Sequence, residues 1–271
     1  MPELPEVETT RLGIEPLISG CRIARVELRV PKLRWPLDPR LPALLVGQSI
    51  RSVGRRAKYL LFYLDAGCLL LHLGMTGNLR VVPQSSPAAK HDHVDICFVD
   101  GRCLRFSDPR RFGALLFVPD QPLEHPLLSK LGPEPLSAEL DGRYLYRRSR
   151  NRTLPVKPFI MDQQIVVGVG NIYASEALFM AGIRPGRAAG RISEKAYARL
   201  TEAIKQVLRA ALAAGGTTFS DFRRVDGRPG YFKQQLLVYG REGEPCPRCA
   251  AVIVAIRLGQ RSTFYCRRCQ S

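Results

Sequence analysis

The chain has 271 residues, 45% of them hydrophobic, enough for one large domain or two ordinary ones with proper cores. Lys and Arg number 41 against 24 Asp and Glu, a formal charge of +17 at pH 7. Such an excess says little about fold and much about partners: it calls for a polyanion, most simply nucleic acid, with an anionic membrane surface as the alternative. No apolar run reaches the ~20 residues of a spanning helix and no leader precedes the Pro-Glu-rich start, so a soluble cytoplasmic protein is expected.

The chain opens Met1-Pro2-Glu3. Removal of Met1 is expected because the next side chain is compact, and it leaves Pro2 as a free secondary amine. An α-amino group titrates near ~7.7–8, against ~10.4 for a lysine, so a useful fraction is neutral at physiological pH without burial. A secondary amine attacking a carbonyl carbon gives an iminium ion, a strong electron sink. Glu3 stands beside it as a carboxyl able to move protons. Taken alone, Pro2 and Pro5 read better as the opening of a helix, because Pro suits a first turn.

Residues 5–19 have the pattern of an amphipathic helix, with Val7, Leu12, Ile14, Leu17 and Ile18 apolar and Gly20 as a stop. A β-rich stretch follows. Cys21–Val30 alternates through Ile23, Val26, Leu28 and Val30. Tyr59–Leu64 and Cys68–Leu73 flank Asp65-Ala66-Gly67, a hairpin signal. Val94, Ile96 and Phe98 precede the turn Asp100-Gly101, then Cys103–Phe106 and Leu115–Val118. Short strands separated by turns favour an antiparallel sandwich or barrel. Leu131-Gly-Pro-Glu-Pro-Leu136 is the best linker. Beyond it, residues 138–148, 172–181 and 193–213 read as helices. The expected domains are 1–135, 136–236 and a Cys-rich module at 237–271.

Of eight cysteines, Cys21, Cys68, Cys97 and Cys103 are scattered in apolar or strand-like contexts and read as small core residues. Cys246-Pro-Arg-Cys249 and Cys266-Arg-Arg-Cys269 are separated by sixteen residues, the spacing of a four-thiolate zinc site. A closed four-cysteine set leaves no open coordination position, so this zinc is structural. Two disulfides are the weaker alternative in a cytosolic protein. Gly168-Val-Gly-Asn171 precedes a helix, where Asn171 reads as an N-cap and the helix start as a phosphate site, although a glycine-bearing cap is also ordinary punctuation. Arg55-Arg-Ala-Lys58-Tyr59 is a basic cluster entering an apolar strand. His72-Leu-Gly-Met75-Thr-Gly77 is a glycine-hinged loop, and Asp108-Pro-Arg110-Arg-Phe112-Gly113 is a turn offering arginines beside a ring that could fill a gap in a base stack. Each of these alone is compatible with a solvated face or core filling.

Together, the segments MPELPEVETT, GRRAKYL, HLGMTG, KHDHVD, DPRRFG, VVGVGNIYASEAL, GGTT and the terminal Cys-rich block resemble bacterial formamidopyrimidine-DNA glycosylases from the first residue to the last. The resemblance implies an α+β protein. An N-terminal antiparallel β-sandwich with a leading helix would face a C-terminal helical domain holding a helix-two-turn-helix near Gly168–Ile183 and a zinc ribbon. It implies a monomeric enzyme that excises oxidised purines from duplex DNA and cleaves the abasic site, holding one structural zinc ion. Pro2 would attack C1′, Glu3 would move protons, and Lys58 and Arg261 would be the acids of β- and δ-elimination. Met75, Arg110 and Phe112 would fill the void. His72, His91, Arg110, Arg152, Asn171 and Tyr239 would hold DNA, with Lys157 an alternative to Arg152 where the alignment is loose. Thr217, Thr218, Ser220, Phe222 and Arg223 would belong to a base-recognition loop.

Two other readings compete. A non-enzymatic zinc-dependent DNA-binding protein of the same fold would be expected to lose Pro2, Glu3 or Lys58, and all three are present. The pyrimidine-directed endonuclease VIII branch shares the Pro2-Glu3 start. Met75, Arg110, Phe112 and the MPELPE form resemble the formamidopyrimidine branch instead.

Overall fold

The computed structural model describes residues 2–216 and 236–271. These fall into two compact units, one running from the N-terminus through Ser129 and including Gly215 and Gly216, the other formed by Lys130–Ala214 and the described residues from Leu236 to Ser271. The residues expected to form a base-recognition loop, Thr217, Thr218, Ser220, Phe222 and Arg223, lie outside the described residues.

The first unit begins with α1 (Leu4–Ile18), followed by β1 (Ile23–Leu28), α2 (Leu41–Leu45), β2 (Ile50–Arg56), β3 (Tyr59–Leu64), β4 (Cys68–His72), β5 (Asn78–Pro83), β6 (Asp92–Phe98), β7 (Arg102–Ser107) and β8 (Ala114–Val118). The strands form two antiparallel four-stranded sheets, β1-β6-β7-β5 and β2-β3-β4-β8. Val26, Ile96 and Leu104 of one sheet share a core with Phe62, Leu69 and Leu71 of the other, closed by Val7, Ile14 and Ile18 of α1. This is the expected sandwich with its leading helix.

Local departures from the sequence pattern have physical causes. Leu12 and Leu17 were expected on the apolar face of α1, yet they are 55% and 38% exposed, because the buried stripe runs through Val7, Thr10, Ile14 and Ile18. Ile23 and Val26 both face the core although they are an odd number of residues apart, because the β1–β6 register shifts between Ile23 and Arg25. Cys97 and Cys103, expected as independent core thiols, face each other across β6 and β7 and are joined by a disulfide.

In the second unit α3 (Gly142–Ser149) is capped by Asp141, whose side chain accepts from Tyr144 N at 2.6 Å. The expected helix at 138–148 therefore starts later than its composition indicates. α4 (Val156–Met161), α5 (Asn171–Ala181) and α6 (Glu194–Ala213) follow. α4 was not expected, since six residues with an internal proline give no periodicity to read. The Cys-rich segment forms a hairpin of β9 (Ile253–Leu258) and β10 (Arg261–Cys266), turned at Gly259 and Gln260, both with positive φ.

The ribbon is docked on α5. The Glu176 carboxylate accepts the backbone amides of Leu237, Val238 and Tyr239 at 2.7–3.0 Å. Arg248 donates to Phe179 O and Met180 O at the carbonyl end of α5, where the helix dipole favours a cation. Phe179 and Val238 complete a small core with Cys246, Ile253 and Cys266.

Candidate active site and nucleic-acid interface

In the first unit the site starts with a helix cap. Glu3 is the N-cap of α1, and its side chain accepts from the backbone of Glu6, while Glu3 N donates to Glu6 Oε2 at 2.7 Å. This reciprocal box uses two amide donors that a helix start leaves orphaned. Pro2 and Glu3 are consequently buried. Gly216, with φ +83°, passes so near that an added Cβ would lie 3.3 Å from Glu6 Oε1.

Lys58 stands at the turn of the β2–β3 hairpin, beside Ala57, whose φ is +55°. The turn is tied to α1 because Arg55 donates to Glu8 Oε2 at 2.7 Å and to Ala57 O at 2.8 Å. Lys58 is 6% exposed. It acts electrostatically on His72, across the β3–β4 ladder.

His72 is a neutral donor. Its Nδ1 accepts the Gly74 amide at 2.9 Å, which leaves the proton on Nε2. Burial, then the charges of Lys58 and Arg34, push its pKa down to about 4.

The loop at 73–77 and the turn at 108–113 are locked together by one carboxylate. Asp108 is fully buried. Its Oδ1 accepts the Thr76 hydroxyl at 2.6 Å and its Oδ2 accepts the Gly113 amide at 2.7 Å. Gly74 has φ +68°, and a Cβ there would lie 2.4 Å from the Phe112–Gly113 backbone, so only glycine permits the approach. The lock sets Met75, Arg110 and Phe112 around one cavity of about 710 Å³, with the Arg110 guanidinium 4.7 Å from the Phe112 ring centre. His91 lies beside this turn, its carbonyl accepting the Asp108 amide at 3.0 Å.

Lys32, Arg34 and Arg111 line the same cavity and stand outside the sequence-based set. Arg34 N donates to Gly113 O at 2.9 Å, and its guanidinium lies 5.0 Å from the Trp35 ring. The available signal is the run Lys32-Leu-Arg-Trp35, cations alternating with apolar side chains.

In the second unit Gly170, not Asn171, is the N-cap of α5. Asn171 is the first helical residue, and its amide nitrogen donates to Ser262 O at 3.1 Å and Tyr239 OH at 3.3 Å. Arg261 is exposed at the ribbon tip and lines a smaller cavity of about 220 Å³ with Pro158, Met161 and Asp162. Arg152 is exposed after α3. Lys157 is 1% exposed, and its ammonium donates to Thr263 Oγ1 at 2.8 Å and Ser262 O at 3.1 Å, tying α4 to β10.

Residues 1–115 match the formamidopyrimidine-DNA glycosylase N-terminal domain, 131–223 the H2TH domain of the same enzymes, and 243–271 the zinc finger found in FPG and IleRS. The formamidopyrimidine-DNA glycosylase of Syntrophotalea carbinolica is 59% identical over 270 residues, covering the whole of both chains. The chain belongs to the formamidopyrimidine-DNA glycosylase family. The crystal structure of the MutM (FPG) protein of Thermus thermophilus superposes on this glycosylase with a TM-score of 0.89 at 42% identity, covering 99% of this chain and 98% of that one. The Lactococcus lactis Fpg, solved in complex with DNA containing an abasic site, gives 0.91 at 34% identity, with 99% of each chain covered.

The four clustered cysteines of this glycosylase fit zinc. Their sulfurs all lie within 4.8 Å of one another, with Cys246–Cys269 at 3.8 Å and Cys249–Cys266 at 3.5 Å. A tetrahedral site with Zn–S bonds of about 2.3 Å has edges of about 3.8 Å. The Ala251 amide draws the Cys249 thiol down to about 7, while the neighbouring Cys249 pushes Cys269 up to about 12. A dication held among them would favour the thiolate form of all four.

Two outcomes are expected. Replacing Cys246 by Ser should release zinc, by metal analysis of the purified protein, and should weaken DNA binding, because β10 carries Arg261 and the Ser262 carbonyl that holds Asn171. The first unit should still fold, since it supplies no ligand; zinc content equal to wild type would contradict the assignment. Nitrogen-detected NMR of His72 should report an Nε2–H tautomer that stays neutral until pH about 4. An unfolded chain protonates this ring from about 6.5 downward. The depressed value therefore makes folding stability fall as pH drops from that range towards 4. Titration of the folded protein near 6.5 would contradict the neutral Nε2–H assignment.

Proposed function

We propose that this glycosylase removes oxidised purines, 8-oxoguanine and formamidopyrimidines, from duplex DNA and cleaves the resulting abasic site by β,δ-elimination. The observation that carries this reading is the reciprocal Glu3–Glu6 cap, beside which Pro2 and Glu3 are buried at the first turn of α1. A fixed terminal amine beside a fixed carboxyl is what iminium chemistry requires.

In this reading the Pro2 nitrogen attacks C1′ as the bond from C1′ to the damaged base breaks, and the base leaves with a proton. Glu3 protonates the sugar ring oxygen as the ring opens to the iminium. The iminium acidifies C2′. Loss of that proton expels the 3′ phosphate with Lys58 as acid, and a second elimination with Arg261 as acid expels the 5′ phosphate. Met75, Arg110 and Phe112 take the space the nucleotide leaves. His72, His91, Arg110, Arg152, Asn171 and Tyr239 hold the DNA, mainly through phosphates. Arg152 is preferred to Lys157 for its contact because the Lys157 ammonium is already engaged by β10. Thr217, Thr218, Ser220, Phe222 and Arg223 read the base. One zinc ion in the ribbon is structural. The enzyme acts as a monomer in the cytoplasm, with lesion-bearing double-stranded DNA as its partner and no membrane role. The Lactococcus lactis relative bound to abasic-site DNA supports the lyase half of this reading.

The test is borohydride reduction with an oligonucleotide carrying 8-oxoguanine opposite cytosine. The processed enzyme should be trapped covalently, and a variant with an N-terminal extension should not be, because its proline nitrogen is an amide. Undiminished trapping by the extended protein would overturn the assignment of Pro2.

A further inference from the structure

The sheet β1-β6-β7-β5 carries an unusual outer face. Its inner face holds Val26, Ile96, Leu104 and Val81. On the opposite face the register aligns Glu27, Asp95, Arg105 and Arg80 in one cross-strand row, and Arg25, Cys97, Cys103 and Val82 in the next. Such a face is ordinarily solvated, yet Asp95, Arg105, Cys97 and Cys103 are each no more than 3% exposed. Arg105 gives two bonds to Asp95, at 2.9 and 2.8 Å, and its remaining donors reach Ser86 O and Pro87 O in the loop after β5.

Cys97 and Cys103 are directly opposed, with Cα atoms 4.0 Å apart and their sulfurs bonded. The Arg25 guanidinium reaches to 4.0 Å from Cys97 Sγ. A neighbouring cation favours the thiolate, the form that attacks a disulfide. The Asp95 carboxylate, within 4.8 Å of both sulfurs, opposes this, but it is itself held by Arg29 and Arg105. The pair closes the turn end of the β6–β7 hairpin, whose open end leads into His91 on one strand and Asp108 on the other.

We propose that Cys97 and Cys103 are a reversible redox pair, which oxidising conditions close into a cross-strand disulfide and a thiol reductant reopens. The oxidant is a low-molecular-weight disulfide such as oxidised glutathione. The Cys97 thiolate attacks one sulfur of that disulfide and expels a glutathione thiolate. The Cys103 thiolate then attacks Cys97 Sγ in the mixed disulfide and expels the second. Two protein thiols lose two electrons and two protons, and the oxidant becomes two thiols. Burial sets the rate, because exchange needs a local opening of this face. The modification would staple the hairpin under the same oxidising stress that damages bases, and it does not depend on the catalytic reading above.

The experiment uses the full zinc-loaded chain, reduced with dithiothreitol, desalted, and equilibrated in buffers of graded oxidised-to-reduced glutathione ratio. Samples are acid-quenched, denatured, alkylated and weighed intact. The reduced end should carry eight alkyl groups, one for each cysteine. The oxidised end should carry six, with peptide mapping joining Cys97 to Cys103, and a return to eight on re-reduction. The double variant Cys97→Val, Cys103→Val should carry six throughout, and its melting temperature should not respond to the buffer, whereas oxidised wild type should melt above reduced wild type. Full alkylation at every ratio would overturn the proposal. So would protection of a different pair, or a link that excess dithiothreitol leaves closed in the folded protein.

Discussion

The site depends on the exchange of hydrogen bonds between Glu3 and Glu6 at the first turn of α1. An N-terminus is a poor place for a catalytic group, because the chain has one covalent tether there and full conformational freedom. A helix start changes that. Its orphan amides attract a carboxylate, and its partial positive charge favours one. Here two carboxylates answer each other, Leu4 beside them is fully buried, and Val7 enters the sandwich core. Pro2, a residue that an ordinary helix start would welcome, is buried next to a carboxyl held by the Glu6 amide.

A second carboxylate organises the remainder of the first unit's surface. Asp108 joins two loops by accepting from Thr76 and from the Gly113 amide, and Gly74 lets their backbones touch. Met75, Arg110, Arg111 and Phe112 are thus presented by a locked pair of loops, and Lys32 and Arg34, from the segment after β1, line the same cavity. In the second unit the same device recurs with Glu176, whose carboxylate gathers three consecutive amides and sets Tyr239 beside Asn171 and β10. Buried carboxylates bonded to main-chain amides fix loops without needing a large core.

What was legible in the sequence follows from how local the determinant is. The hairpins at Asp65–Gly67 and Asp100–Gly101, the long helix ending before Gly215-Gly216 and the four-cysteine spacing are short-range signals, and the structure contains each of them. The failures are long-range. Asn171 resembles an N-cap in composition, but the helix begins on it, and its side chain is drawn across to Ser262, 91 positions away. Lys157 resembles a surface cation until β10 folds over it. The Cys97–Cys103 pair needed the exact register of β6 on β7, and Arg34 needed the contact of its loop with Gly113. Glu6 and Asp108 stood in the resembling segments, but nothing local marked them as the residues that hold Glu3 and the loops at 73–77 and 108–113 in place.

If the proposed iminium forms at Pro2, its rate depends on the cap on α1 and not on proline chemistry alone. The direct measurement is the rate of borohydride-trapped complex formation by Glu6→Ala at saturating abasic-site DNA, with binding measured separately. Loss of the cap should slow trapping by about tenfold or more, equivalent to about 1.4 kcal/mol or more of barrier, and leave binding unchanged. An unaltered trapping rate in a folded variant would contradict the account.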